Sequence, residues 1–254
     1  MRIIATAKLV PDTNADKRID PATKRLVRTG VETVINPFDE YALEAALQLR
    51  DARGDGSTVT VFSMAPESGK EIVRKALAMG ADDAVMLSDP RLEGSDLGAT
   101  AFAMAQALKS LGFDLLLMGT QSTDASTGAL PGMLAESLGI PGVTYVRKFD
   151  CDGTILTAER ETEYGFQRVS LRLPAIVSVT KSINQPRYPS LKGIMGAKKK
   201  EIRVIGADGV VSSKTEVVAI DAPPPRAKAR VVTVADASEG ARVIVDFLRE
   251  RKLL

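Results

Sequence analysis

Histidine and tryptophan are absent from the 254-residue sequence, and cysteine occurs once, at Cys151. Without histidine the chain lacks the commonest general base, the usual member of a catalytic triad and the commonest metal ligand. The usual cysteine and histidine sets of a zinc site are excluded, and a single cysteine cannot form an internal disulfide, which fits a reducing compartment. The composition therefore favours a protein that is not an enzyme and does no covalent chemistry itself.

Two further classes of function are disfavoured by what the sequence has little of. Aromatic residues make up 4% of the chain and the formal net charge is +2, so neither base stacking nor bulk charge indicates nucleic-acid binding. The chain has no apolar window of about 18 residues, so no membrane span is expected. A strand-like pattern begins at Met1, which leaves no room for a signal or transit peptide, and we expect a cytoplasmic protein.

Apolar runs of strand length alternate with helical patterns over the first 140 residues. Asn36 and Ser95 are the expected N-caps of the first and third helices. The β-α-β-α order is typical of an α/β fold, in which a parallel sheet is covered by helices on both faces. The predicted strands are 3–7, 59–64, 84–87 and 115–118, and the predicted helices are 37–49, 67–79, 95–111 and 127–138.

The pattern changes at residue 143, where three strands of an antiparallel meander are predicted at 143–149, 155–160 and 167–173. A core strand follows at 174–180. We therefore expect residues 1–180 to form an α/β nucleotide-binding domain with an antiparallel extension. Residues 181–254 contain a triple-proline spacer at 223–225 and a final helix at 237–248. They are expected to form an arm that wraps a partner subunit.

Residues 182–200, the docking segment, combine two prolines, a short apolar stripe and a run of lysines. Pro186 and Pro189 exclude a regular helix in the first half of the segment. Three apolar residues then follow at i, i+3 and i+4, and the stripe is too short to build a core. An apolar stripe beside concentrated positive charge suits an acidic partner, although a solvated surface loop stays equally open. The candidate docking residues are Tyr188, Leu191, Ile194, Met195, Lys198, Lys199 and Lys200.

A second candidate site is the loop 119–130, which joins a predicted strand to a predicted helix and is rich in glycine and hydroxyl side chains. Ligands of open parallel sheets bind at the carboxyl ends of the strands, and free amides at a helix N-terminus attract phosphate. Thr6 and residues 36–39 also end a strand or open a helix, so we expect them at the same edge. Neither a Walker A motif nor a G-x-G-x-x-G motif is present. The alternative interpretation, an ordinary N-cap loop that binds no ligand, is therefore retained.

Five stretches of the sequence resemble the beta subunits of electron transfer flavoproteins. The longest, INQPRYPSLKGIMGAKKK, resembles the family's recognition loop, whose pattern is close to N-x-P-R-Y-x-x-L-x-x-I-M-x-A-K-K-K. The other four are NPFDEYALEAAL, KALAMGADDAV, GTQSTDASTG and ERETEYG. Together they extend the resemblance over roughly residues 1–205.

The resemblance implies a heterodimer in which this chain binds AMP while an alpha subunit holds most of a redox FAD. Electrons would come from flavin dehydrogenases such as acyl-CoA dehydrogenases, with Leu191 as the docking anchor, and would pass to a quinone reductase. Glu161 is the residue that the resemblance points to for an ion pair with the alpha subunit. The resemblance adds Met64 to the nucleotide contacts, so that the full set is Thr6, Asn36, Pro37, Phe38, Asp39, Met64, Gly119, Thr120, Gln121, Ser122, Thr123, Asp124, Ala125, Ser126, Thr127, Gly128, Ala129 and Leu130.

The nucleotide loop also departs from the family. The family often has D-D-D-C-N-Q-T-G or D-G-D-T-A-Q-V-G where this chain has Asp124 followed by Ala-Ser-Thr-Gly-Ala-Leu-Pro. The difference favours AMP over a second FAD. A carboxylate repels phosphate, so we expect Asp124 to turn outward or to bind amides of its own loop. Two alternatives stay open: the FAD-binding beta subunit of a bifurcating, NADH-dependent form, and a nucleotide-binding sensor of the universal-stress type.

Overall fold

The computed structural model describes residues 1–221, 229 and 231–254. The chain divides into two units, Met1–Val218 and Ala219–Leu254. The predicted proline spacer at 223–225 lies outside the described residues. No helix in the described part of the chain is long and apolar enough to cross a membrane.

The first unit contains thirteen described strands and five described α-helices. The strands are β1 Arg2–Thr6, β2 Leu9–Pro11, β3 Ile19–Asp20, β4 Arg25–Leu26, β5 Thr33–Ile35, β6 Thr58–Met64, β7 Asp83–Leu87, β8 Leu115–Gly119, β9 Gly142–Cys151, β10 Ile155–Thr162, β11 Gly165–Arg172, β12 Ala175–Val179 and β13 Ile202–Ile205. The helices are α1 Pro37–Arg53, α2 Lys70–Met79, α3 Leu97–Leu111, α4 Leu130–Leu138 and α5 Leu191–Lys199.

Nine strands form the central sheet in the order β11-β10-β9-β12-β8-β1-β6-β7-β13. From β9 through β12, β8, β1, β6 and β7 to β13, each strand pairs in parallel with the next. Strand β10 pairs antiparallel with both β9 and β11, and these three strands form the antiparallel extension. The chain leaves β1 toward β6 and β7, and later returns to the other side of β1 as β8. The strand order therefore reverses between β1 and β8, which is where an open α/β sheet binds ligands.

Both faces of the sheet are buried, because successive side chains of its parallel strands point to opposite faces and are apolar on both. Ile3, Val61 and Leu117 pack with α1 and α2 in one core cluster. Ile4 and Leu116 point to the opposite face and pack with α3 and α4 in a second cluster. The predicted α/β class, with helices on both faces of a parallel sheet and an antiparallel extension, is confirmed.

Three of the predicted helices begin later than expected. Residues 67–69 form a 3-10 turn before α2. Helix α3 begins after Asp96, whose carboxylate accepts the amide of Ala99 at 2.8 Å, so the predicted N-cap Ser95 was wrong. Helix α4 begins at Leu130 rather than at residue 127, because Gly128 adopts a left-handed conformation with φ of 63° that a helix cannot include.

The structure also places more of the chain in the first unit than the sequence predicted. After the docking segment the chain returns to the sheet as β13, which pairs in parallel with β7 from Ile202 to Ile205. The first unit consequently reaches Val218, and the predicted boundary at residue 180 falls inside it. A four-residue strand with mixed burial carries little signal in the sequence, so its pairing could not be foreseen.

The second unit contains helix α6, Ala237–Glu250, which begins as predicted and ends two residues later. Asp236 caps it by accepting the amide of Glu239 at 2.9 Å. Its residues are apolar along one face, yet none of them is buried, and Ile244 and Phe247 are exposed. An amphipathic helix with an uncovered apolar face is typical of an element that binds a partner.

Candidate nucleotide cleft and docking segment

A cleft of about 420 Å³ opens at the carboxyl ends of β1, β6 and β8. Its volume lies within the range of roughly 300–1,000 Å³ that is usual for small-molecule sites. Apolar side chains from the sheet and from α3, including Phe62, Met104 and Met118, form one wall. The loop 119–130 also lines the cleft and supplies amides and hydroxyls. A lining that combines apolar side chains with polar groups suits a ligand that has a flat ring system and a charged group.

Asp39 ties three segments together beneath the cleft. Its buried carboxylate accepts the Thr6 hydroxyl at 3.3 Å, the Lys8 amide at 2.8 Å and the Gly119 amide at 3.1 Å. Burial raises the pKa of Asp39, and the hydrogen bonds from Lys8, Gly119, Asn36 and Thr6 oppose that rise. The side chain therefore holds the ends of β1 and β8 against the first turn of α1.

Asn36 precedes α1 as predicted, but its side chain does not cap the helix. The amide nitrogen donates to the carbonyl of Gln121 at 2.9 Å, and the amide oxygen accepts the N–H of Thr123 at 3.2 Å. Both bonds reach across more than eighty residues of sequence. Asn36 thus fixes the loop 119–130 in place, a role that no local pattern could reveal.

Gly119 is the residue at which the strand and the helix meet. A Cβ at this position would lie 2.6 Å from the backbone carbon of Phe38 and 2.7 Å from its Cβ. Only glycine allows β8 and α1 to approach this closely. The close approach brings Thr6, Asp39 and the loop 119–130 to one edge of the sheet.

Two cations that are not among the predicted nucleotide contacts line the cleft. Lys8 Nζ lies 2.7 Å from one carboxylate oxygen of Asp124 and 3.1 Å from the Ser122 hydroxyl, and Arg28 pairs with the other oxygen. Burial opposes ionisation of Asp124, but the hydrogen bonds from Lys8 and Arg28 outweigh it and lower its pKa to about 2. The expectation that Asp124 turns outward or binds amides of its own loop was therefore wrong.

Arg28 could not be found from the sequence, because it lies in a polar stretch between β4 and β5 that has no periodic pattern. Ion pairing with Asp124 also changes the electrostatics of the loop. The side chain of Asp124 is 1% exposed, whereas those of Lys8 and Arg28 are 41% and 47% exposed. The cleft consequently presents the two cations and hides the carboxylate.

The amides just before α4 are free in the described part of the chain. No backbone or side-chain oxygen there accepts the N–H of Thr127, Gly128 or Ala129, and the helix has no side-chain N-cap. Pro131 at the second helical position has no N–H of its own. The free N–H groups therefore begin before the helix and continue at Leu130 and Gly132 in its first turn, since Met133 is the first helical residue whose N–H is accepted, by the carbonyl of Ala129.

Twelve of the predicted nucleotide contacts line the cleft, namely Thr6, Asn36, Asp39, Met64, Gly119, Thr120, Gln121, Ser122, Ala125, Thr127, Gly128 and Leu130. The other six do not, namely Pro37, Phe38, Thr123, Asp124, Ser126 and Ala129. Phe38 instead packs against Gly119 from α1, and Asp124 is engaged by Lys8 and Arg28.

The docking segment bonds to α1 through Asn184 and Arg187, and its second half is α5. Tyr188, Leu191 and Met195 are 91%, 83% and 67% exposed. Ser190 caps α5 by accepting the amide of Gly193 at 3.0 Å. A Cβ at Gly193 would collide with the carbonyl oxygen of Ala78, so glycine is needed for α5 to pack on α2.

The three lysines at the end of the docking segment are not equivalent. Lys198 and Lys199 are exposed. Lys200 is only partly exposed, because its Nζ donates to the carbonyl of Ala81 at 2.7 Å. Arg74 holds the same end of α5 by donating to the carbonyl of Ala197 at 2.8 Å. Lys200 therefore has a structural role that its place in a charge run does not reveal.

Glu161 lies on β10 in the antiparallel extension. Its Oε1 accepts the hydroxyl of Thr180 at 3.3 Å. No lysine or arginine of the described residues lies within ion-pair distance of it, whereas its neighbour Glu159 pairs with Arg147 and Arg168.

The order of the strands, the two helical layers and the position of the cleft define a doubly wound α/β protein with a cleft at its switch point. Residues 23–209 match the family model of the electron transfer flavoprotein domain. The chain belongs to the electron transfer flavoprotein family, which confirms the resemblance noted in the sequence and places it in electron transport as part of a flavoprotein.

Relatives in this family match the chain along its whole length. The electron transfer flavoprotein subunit beta of Megasphaera elsdenii is 40% identical, over 99% of this chain and 97% of the relative. The subunit beta of Thermoanaerobacterium thermosaccharolyticum is 39% identical over all of both chains. The caffeyl-CoA reductase-Etf complex subunit CarD of Acetobacterium woodii is 36% identical, also over all of both chains.

Proposed function

We propose that the chain is the beta subunit of a heterodimeric electron transfer flavoprotein, and that its cleft binds AMP. The observation that carries the proposal is the group of free amides before α4, beside the exposed cations of Lys8 and Arg28. Backbone N–H groups and cations are the donors that phosphate prefers. The apolar lining at Met64 and Met118 would receive the adenine ring.

The redox FAD would be held mainly by the alpha subunit and would supply the electron-transfer chemistry. The residues of this chain bind and position, and none of them is assigned a catalytic role. The uncovered apolar face of α6 supports an arm that wraps the alpha subunit. Glu161, which has no cationic partner within the described residues, would pair with a cation of that subunit.

The partners proposed for electron transfer are flavin dehydrogenases such as acyl-CoA dehydrogenases, and a quinone reductase downstream. The exposed stripe at Tyr188, Leu191, Ile194 and Met195 supports docking, because such side chains are rarely left uncovered without a partner. One relative is named as a subunit of a complex with caffeyl-CoA reductase. That name supports a partner that acts on a CoA thioester.

Co-purification with the alpha subunit tests the composition of the complex. We expect a yellow heterodimer that releases one FAD and one AMP per pair of chains when it is denatured and the nucleotides are separated on a column. Two FAD molecules per heterodimer and reduction by NADH would select the bifurcating form instead. A colourless protein that associates only with itself would select a nucleotide-binding sensor.

Electrostatic steering by Lys198 and Lys199 is a further expectation. The double variant Lys198→Gln/Lys199→Gln should lower the rate of association with the dehydrogenase several-fold at low ionic strength and flatten its dependence on salt. Stopped-flow mixing at a series of salt concentrations measures both quantities. The control Lys17→Gln/Lys109→Gln removes the same charge from exposed residues elsewhere. If the two double variants show the same dependence on salt, Lys198 and Lys199 do not steer docking and are only solvated surface charges.

A further inference from the structure

The first half of the docking segment is fastened to α1 by a specific set of hydrogen bonds. The side-chain amide of Asn184 donates to the carbonyl of Tyr41 at 3.0 Å. The backbone N–H and the Nε of Arg187 both donate to Oε2 of Glu44, at 3.2 Å and 2.8 Å. The two remaining guanidinium nitrogens reach Oε1 of Glu44 at 3.2 Å and Asp51 at 3.1 Å. Arg187 thus spans two turns of α1.

Glu44 makes this attachment selective. Its side chain is 4% exposed in the middle of α1, and a buried carboxylate needs both a counter-charge and hydrogen-bond donors. Gln48 supplies one donor at 2.9 Å, but within the described residues only Arg187 supplies the charge. The planar guanidinium matches the carboxylate at two points, which a lysine cannot do. The buried carboxylate of Glu44 therefore favours the one position of the docking segment in which the guanidinium of Arg187 reaches it.

The backbone next to Arg187 is restricted, so the position of Arg187 constrains where the exposed residues lie. Pro186 and Pro189 fix φ on both sides of the Arg-Tyr pair. Ser190 then caps α5. Few backbone torsions therefore remain free between Arg187 and the residues Tyr188 and Leu191. The fixed position of Arg187 consequently restricts the backbone from which both exposed side chains project.

We propose that Arg187, paired with Glu44, is the positioning residue of the docking segment and keeps its exposed side chains preformed for the partner. The inference rests on the docking function proposed above. A preformed surface loses less conformational entropy when it binds, so the pair favours association. Neither residue lines the nucleotide cleft, so we expect electron transfer within the assembled complex not to depend on the pair.

Hydrogen–deuterium exchange on the complete alpha–beta complex tests the structural half of the proposal. In Arg187→Gln, exchange of residues 182–190 should become at least tenfold faster, while β8 and β12 keep their rates. Glu44→Gln/Arg187→Gln removes both charges and so avoids a buried unpaired carboxylate, and it should show the same local increase. Arg187→Lys should restore part of the protection. Unchanged exchange in both glutamine variants would overturn the proposal.

Steady-state kinetics with an acyl-CoA dehydrogenase and its acyl-CoA tests the functional half. With the complex as electron acceptor, KM should rise about tenfold in the double variant while kcat stays within twofold. Arg53→Gln is the matched control, because Arg53 lies on α1, as Glu44 does, but donates to Asp55 and to the carbonyl of Cys151 rather than to the docking segment. A fall in kcat at constant KM, or faster local exchange with unchanged KM, would overturn the proposed role.

Failure of the inference is distinguishable from failure of the proposed docking function. If Leu191→Ala slows the dehydrogenase reaction while the Arg187 variants do not, the segment docks but Arg187 does not position it. If neither Leu191→Ala nor the Arg187 variants change the kinetics, the docking function itself is wrong.

Discussion

Replacing Leu191 by alanine should lower kcat/KM for reduction of the complex by its dehydrogenase about 30-fold. Leu191 is largely exposed at the start of α5, and a single apolar anchor that fills a partner's pocket contributes roughly 2 kcal/mol or more to binding. A loss of that size corresponds to a factor of about 30 in affinity. Stopped-flow reduction of the flavin, followed by absorbance, measures the effect.

The fold should be unaffected by Leu191→Ala, because the side chain contributes little to either core cluster. Flavin content and the thermal unfolding midpoint of the variant should equal those of the wild type. Leu191→Met, which keeps an apolar side chain of similar volume, is the matched control and should retain most of the activity. If Leu191→Ala transfers electrons at the wild-type rate, Leu191 is not the anchor.

Replacing Gly128 by aspartate should abolish retention of AMP by the purified complex. The residue lines the cleft beside amides that no described group accepts, so a carboxylate there would repel the phosphate and occupy its place. The nucleotide released by denaturation, quantified on a column, should fall from one equivalent to less than a tenth. The parallel sheet should survive, because Gly128 lies outside both core clusters.

Conformational strain is the competing explanation for a loss of AMP from Gly128→Asp. A second variant separates the effect of strain from the effect of charge. Gly128 has φ of 63°, and a Cβ there would lie 3.3 Å from the hydroxyl of Tyr145. Gly128→Asn has nearly the same size as the aspartate, tolerates the left-handed conformation and carries no charge. It should retain substantially more AMP than Gly128→Asp. Full retention of AMP by Gly128→Asp would show that the phosphate lies elsewhere in the cleft.

Local periodicity was sufficient to predict the fold class of this protein. Continuous apolar runs alternating with amphipathic helices specified a parallel sheet with both faces covered, because strands buried on both sides cannot alternate polar and apolar residues. The glycines after α2, α3 and α4 end those helices where the sequence predicted, whereas α1 runs four residues beyond its predicted end at residue 49. The exposure of Leu191 and Met195 could likewise be foreseen, since three apolar residues between prolines and lysines cannot form a core.

Tertiary structure alone decided the chemistry of the cleft and the attachment of the docking segment. Asn36 and Asp39 resemble ordinary helix-start residues, but their partners lie at Gln121 and Gly119. Arg28 reaches Asp124 across 96 residues, and pairs from such distant segments leave no periodic trace in a single sequence. Arg187 and Glu44, which are 143 residues apart, illustrate the physical reason. Local patterns record which face of an element is buried, whereas the partner of a buried charge is chosen only when the sheet brings distant segments together.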